Sequence, residues 1–293
     1  MPFSDGSPHM NPEDIDGPLA VALAFQAVLL LAGIALLVRL IFSAWGKAFW
    51  KRSSPLTPWD ISGSDFAFAM VLVIAMGVGG NFCGQALATS FGGNPELALV
   101  FQGAGFQLGL LLGAILAAFN ARQKQIITSG GATPRAATPL PINPWIGGAF
   151  ALLAAFPVLT AINLVWTNAL TTLGFETTHQ EVVEIFSKLE LPAARYGMMV
   201  LAVIVAPIVE EVIFRAGLFR FMRTRFPRWL AFGFPAAFFA LMHGNLVAFG
   251  PLFALGVVFA IAYERTGRIM VPIFAHALFN LNTLGLLLAG VEV

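Results

Sequence analysis

Long apolar runs, each close to the length that crosses a bilayer, constrain this chain more than any other feature. A spanning helix needs about 20 predominantly apolar residues. Eight stretches are candidates: 19–43, 66–91, 97–119, 145–172, 196–221, 229–248, 250–264 and 269–290. The seventh is short, and Gly250 followed by Pro251 is the expected break between it and the sixth. Composition agrees with the runs. The chain is 58% hydrophobic and 11% charged, with a mean hydropathy of +0.83, whereas soluble domains carry about 25% charged residues. Backbone polar groups at membrane depth must pair within the chain, which leaves helices as the spanning element for runs of this length. The expected fold is an all-α, polytopic membrane bundle of about eight transmembrane helices.

Charge placement gives an independent reading of topology. Arg39, Lys47, Lys51 and Arg52 stand at or beyond the end of the first run, and Arg122, Lys124 and Arg135 follow the third. Arg220, Arg223, Arg225 and Arg228 stand at the ends where the fifth and sixth meet, and Arg265 and Arg268 separate the last two. The other side carries only Lys188 and Arg195, with an acidic amino-terminal segment containing Asp5, Glu13, Asp14 and Asp16. By the positive-inside rule the basic side is cytoplasmic and both termini lie outside. Trp45, Trp50, Trp59, Trp145 and Trp229 fall at or near proposed ends, as an aromatic belt requires, and only Trp166 lies well inside a run. The formal net charge of +1 and the lack of any basic patch beyond topology give no reason to expect a nucleic-acid partner. A bilayer is the expected surrounding, and nothing in the sequence sets an oligomeric state. The single cysteine, Cys83, excludes a disulfide framework and is expected to be a small buried apolar residue.

Residues 1–17 read as a polar tail without the basic start of a cleavable signal. Residues 18–143 hold the first spans and a Gly/Pro/Thr-rich cytoplasmic loop at 120–143, and 144–293 hold the remaining spans. Within 174–195, Thr178 and Glu181 have capping-box spacing, and Val182, Phe186 and Leu189 follow at helical intervals. That predicts an amphipathic helix on the outer surface, as a connector or a lid. No internal repeat is apparent.

Against this apolar background the segment APIVEEVIFRAG, residues 206–217, is the exception. Translocon scales assign roughly 2.5–3.5 kcal/mol to each ionised group at the centre of a span. Glu210 and Glu211 are nevertheless the only carboxylates at membrane depth, the remaining acidic residues lying outside the runs or at their edges. Glu211 and Arg215 stand at i, i+4 and can neutralise each other. Glu210 points about 100° away and needs another partner. His243 in FFALMHGN and His276 in IFAHALFNLN are the two histidines inside apolar runs, and His276 shares a helical face with Asn280 as Phe239 does with His243. A rise of about 1.5 Å per residue brings Glu210, His243, His276 and Asn280 to one layer, roughly 12–21 Å from the cytoplasmic ends. A carboxylate, two imidazoles and an amide suit hydrolysis. Glu210 would take a proton from water, an imidazole would position that water or protonate the leaving amine, and Asn280 with His276 would donate to the oxyanion. The chain has no HExxH, no GxSxG and no membrane Asp pair.

These residues resemble the CPBP intramembrane proteases, the family of the type II CAAX prenyl endopeptidase and of bacteriocin-processing and immunity-type membrane proteins. The shared pattern is EExxxR (Glu210, Glu211, Arg215), FxxxH (Phe239, His243) and HxxxN (His276, Asn280), over about residues 196–285. The resemblance implies a multi-pass protein of the bacterial plasma membrane that cleaves membrane-anchored or lipid-modified protein or peptide substrates. It implies that Glu210 activates water, that His243 assists, that His276 and Asn280 line an oxyanion site, and that Glu211, Arg215 and Phe239 support them. A metal-free site is the expected form, with zinc on Glu210, His243 and His276 as the alternative. A non-catalytic immunity or scaffold protein and a proton-coupled transporter are the other readings.

Overall fold

The computed structural model describes residues 17–59, 61–129, 138–175 and 188–291. Among these residues the chain is helical, without strands. The helices are α1 (Gly17–Phe42), α2 (Ala44–Lys51), α3 (Gly63–Ser90), α4 (Pro95–Ser129), α5 (Pro144–Thr172), α6 (Pro192–Arg225), α7 (Arg228–Leu241), α8 (Leu246–Thr266) and α9 (Met270–Leu288). Seven of them are long and apolar enough to cross a membrane. The remaining expected span, the sixth run, is α7, whose 14 residues reach about 21 Å, short of the roughly 30 Å hydrocarbon core.

Most helix starts follow local chemistry. Ser43 and Ser62 accept from the backbone N–H groups of Gly46 and Asp65, and Asn143 from that of Trp145, with Pro144 in the first turn. Asn94 caps α4 and Asn245 caps α8 in the same way. Gly267 closes α8 at φ 68°, a left-handed conformation in which a side chain would be strained.

Several boundaries differ from the sequence expectation. The loop expected from residue 120 begins later, because α4 continues to Ser129 through a stretch rich in the good helix formers Arg, Gln and Lys. The break before α8 falls at 242–245 and not at Gly250 and Pro251, which lie inside α8. Gly250 serves packing instead: a Cβ there would stand 2.6 Å from the Trp166 ring. Trp166 also donates from Nε1 to the Leu246 carbonyl, which explains a tryptophan so far from the helix ends. Cys83 is exposed on α3 and not buried, since the face of α3 that packs on α4 is taken by Gly77, Gly80 and Gly84. The amphipathic helix expected around Thr178 to Phe186 lies outside the described residues, as does the polar tail.

Helices α3 and α4 touch backbone to backbone. A Cβ on Gly80 would meet the Gly105 carbonyl at 2.0 Å, and one on Gly105 would meet that of Gly80 at 2.1 Å. Without a hydrophobic drive between helices in lipid, such small-residue seams allow the close packing that holds them. The remaining core is built by α5 to α9 around Phe239, Leu255, Phe259 and Ala275, all nearly sealed from solvent. Helix α1 is peripheral, with only Gly33 buried, against Leu153 and Pro157 of α5. Between α1, α5 and α9 runs an apolar groove of about 860 Å³, crossed by a Gln26 to Asn282 hydrogen bond of 2.8 Å.

The basic end is knitted by arginines. Glu264, only 1% exposed, pairs with Arg223 at 2.6 Å and Arg228 at 2.8 Å. Arg225 donates to the carbonyls of Trp59 and Ile61, and Arg265 to those of Trp50 and Arg52. Several residues that mark topology therefore also strap the 52–62 connection to the bundle.

Candidate active site

Helix α6 carries Glu210 and Glu211, and it is not a regular α-helix. Two π-helical stretches, Leu201–Val205 and Val212–Phe219, flank the α-helical Ala206–Glu211. Pro207 accounts for the first of these. It has no N–H, and in a regular helix its ring would strike the carbonyl four residues back. One extra residue in the preceding turn relieves the clash, and the Ala206 N–H bonds five residues back to Leu201.

Glu211 is fully buried, and its Oε1 accepts twice. Arg215 donates from Nη1 at 2.7 Å, and His276 from Nδ1 at 3.0 Å. Glu211 Oε2 is buried without a hydrogen-bond partner among the described residues. The Arg215 guanidinium is 2% exposed and lies over the rings of Phe239 at 4.7 Å and Phe259 at 5.3 Å, with Nη2 directed to the Gly256 carbonyl at 3.3 Å. A buried ion pair is tolerable where geometry is close and further donors and ring faces replace lost water.

The Glu211 contact sets the chemistry of His276. A carboxylate oxygen already held by Arg215 accepts, so Nδ1 of His276 carries the proton and Nε2 presents its lone pair. That nitrogen stands 3.8 Å from Glu210 Oε2. The separation exceeds a direct hydrogen bond and suits a shared water. Glu210 differs from its neighbour in access: its side chain is 23% exposed against 0% for Glu211. One carboxylate is locked and the other is reachable.

The remaining expected residues fall in three distinct settings. Phe239 is buried and meets both imidazoles edge-on, His243 at 4.8 Å and His276 at 5.8 Å between centroids. His243 lies in the turn after α7, exposed, and not within a spanning helix as expected. Its Nδ1 donates to the Phe239 carbonyl at 2.8 Å, one of the α7 carbonyls left open at the helix end. Its Nε2 is then an acceptor. Asn280 does not point an idle amide at the cluster: Nδ2 donates to the Ala202 carbonyl of α6 at 2.7 Å. Among the described residues no group of three or more His, Cys, Asp or Glu side chains is placed to hold a metal ion.

Sequence reasoning missed Phe259, Gly256, Pro207 and Ala202. Pro207 carried a readable signal, since a proline inside an apolar helix marks a kink or a bulge.

Fold and site together define a multi-pass helical membrane protein with a buried carboxylate–imidazole–guanidinium cluster. Residues 192–282 match the family described as Type II CAAX prenyl endopeptidase Rce1-like. Among curated proteins the chain is 37% identical over 83 residues to a putative membrane peptidase, YdiL, of Bacillus subtilis (strain 168). That alignment covers 28% of this chain and 34% of the relative. It is 30% identical over 146 residues to the membrane-embedded CAAX protease MroQ of Staphylococcus aureus (strain USA300), covering 47% and 56% respectively. The chain thus spans between a third and somewhat over half of the length of these relatives. No solved structure matches.

Proposed function

We propose that this protein is an intramembrane endopeptidase that hydrolyses peptide bonds in membrane-anchored or lipid-modified proteins, using water activated by Glu210. The observation that carries the reading is the division of labour between the paired glutamates. Glu211 is spent on Arg215 and His276, while Glu210 is accessible and faces an imidazole lone pair at 3.8 Å.

A water held between Glu210 Oε2 and His276 Nε2 gives one proton to each acceptor as hydrogen bonds and turns a lone pair outward. As its oxygen bonds to the scissile carbonyl carbon, Glu210 takes the proton. When the C–N bond breaks, that proton passes to the leaving nitrogen. His276 keeps its tautomer because Glu211 accepts from Nδ1, and Arg215 holds the same Glu211 oxygen in place. His243 stands across the Phe239 ring with Nε2 left to accept. No metal enters these steps.

Position supports the substrate class. Glu210 lies mid-way along the 34-residue α6, so a bond reaches it from within the membrane layer. The named relatives, a putative membrane peptidase and a CAAX protease, point the same way. The test is a pair of peptides of one sequence, with and without a membrane anchor, incubated with protein in vesicles. Cleavage of the anchored form alone is expected. Cleavage of neither, or of both at equal rates, would remove this reading.

A further inference from the structure

We propose that Asn280 is a positioning residue: its amide replaces a backbone donor that the π-turn and Pro207 withhold from Ala202, and so keeps Glu210 in register with His276. This rests on the hydrolase reading above and gives Asn280 a task other than contact with substrate.

The Ala202 carbonyl has two natural donors in a helix. The i+4 group, Ala206 N–H, is committed to Leu201. The i+5 group, which a π-turn would use, belongs to Pro207 and does not exist. A carbonyl left open in an apolar setting is strongly disfavoured. Asn280 Nδ2 fills the position at 2.7 Å.

The bond also has consequences at the site. Asn280 is one helical turn beyond His276 on α9, and Ala202 lies about two turns before Glu210 on α6. The bond therefore ties together the two helices that bring Glu210 and His276 to 3.8 Å. Without it the Ala202 carbonyl is left open, since the turn that Pro207 imposes keeps the Ala206 N–H on Leu201, and α6 and α9 lose the bond that fixes Glu210 against His276. Asn280 thus holds the two helices in the register in which the carboxylate and the imidazole meet.

The experiment is a double-mutant cycle with Asn280→Ala and Pro207→Ala in the full chain, reconstituted in vesicles. Pro207→Ala restores an N–H that satisfies Ala202 in the π-turn, or frees the helix to become regular. In either case Asn280 loses its special acceptor. Asn280→Ala is expected to lower kcat about tenfold to a hundredfold with KM little changed in the wild-type background. It is expected to change kcat less than about twofold in the Pro207→Ala background. The unfolding midpoint follows the same pattern, falling with Asn280→Ala only where Pro207 is present. Equal losses of activity in both backgrounds, with an unfolding midpoint that ignores Pro207, would overturn the proposal and return Asn280 to direct contact with the oxyanion. If the wild type cleaves nothing, the hydrolase reading fails on its own. The midpoints still decide the clamp: coupling supports it and additivity refutes it.

Discussion

His276 donates from Nδ1 to the same oxygen of Glu211 that Arg215 already holds, at 3.0 Å and 2.7 Å. That shared oxygen explains why two adjacent glutamates occur where charge is least welcome. One fixes an imidazole and pairs with an arginine, and the other stays accessible.

The ion pair makes a stability prediction. Glu211→Gln keeps a carbonyl oxygen for both donors but strands the Arg215 guanidinium, 2% exposed, without a counter-charge. Removing one partner of a buried pair costs about 3–5 kcal/mol, whereas replacing both with apolar residues of similar volume is often neutral. Chemical denaturation in mixed micelles is expected to show Glu211→Gln strongly destabilised and the double variant Glu211→Leu with Arg215→Met much closer to wild type. Activity is expected to be lost in both.

Much of this cluster was legible in the sequence, and the reason is geometric. Glu211 with Arg215, Phe239 with His243, and His276 with Asn280 all recur at four residues, and a helix turns that spacing into a shared face. Two things were hidden. An i, i+4 reading assumes an unbroken 3.6-residue period, so the π-turns that set the phase of α6 were invisible except through Pro207. The exposed turn of His243 was masked by a stronger-looking signal. Gly244, at φ 65°, and the cap Asn245 ended α7 and started α8, whereas Gly250 and Pro251 looked like the breaker and proved to be a packing site for Trp166. The Asn280 bond to Ala202 follows from the first of these, since its acceptor is a main-chain group that only an irregular helix exposes.

Phe239 separates packing from chemistry. Its ring touches both imidazoles and lies under Arg215. Phe239→Ala is expected to cost about 3–5 kcal/mol of stability, as large-to-small core changes do. Phe239→Leu is expected to fold while losing turnover, because the imidazoles then lack their shared wall. Unfolding midpoints and kcat measured on the same preparations check this. A Phe239→Leu variant with wild-type kcat would show the ring to be filler.

The seam between α3 and α4 gives the converse case. Gly80→Ala places a Cβ about 2 Å from a carbonyl oxygen of α4, and forced separation of close-packed elements costs about 1–3 kcal/mol. A lower unfolding midpoint is expected, with KM and kcat of the folded fraction unchanged. Loss of kcat without loss of stability would place this seam in the catalytic path.

Glu210 is proposed as the base that activates water without a metal. The direct measurement is the cleavage rate of a membrane-anchored peptide by purified protein as wild type, as Glu210→Gln, and as wild type with a strong chelator. Loss of a general base of this kind removes about two to four orders of magnitude in rate. The account predicts that Glu210→Gln folds and falls by at least that factor while the chelated wild type cleaves at its original rate. Near-normal cleavage by folded Glu210→Gln, or loss of wild-type cleavage on chelation with recovery on added zinc, would contradict it.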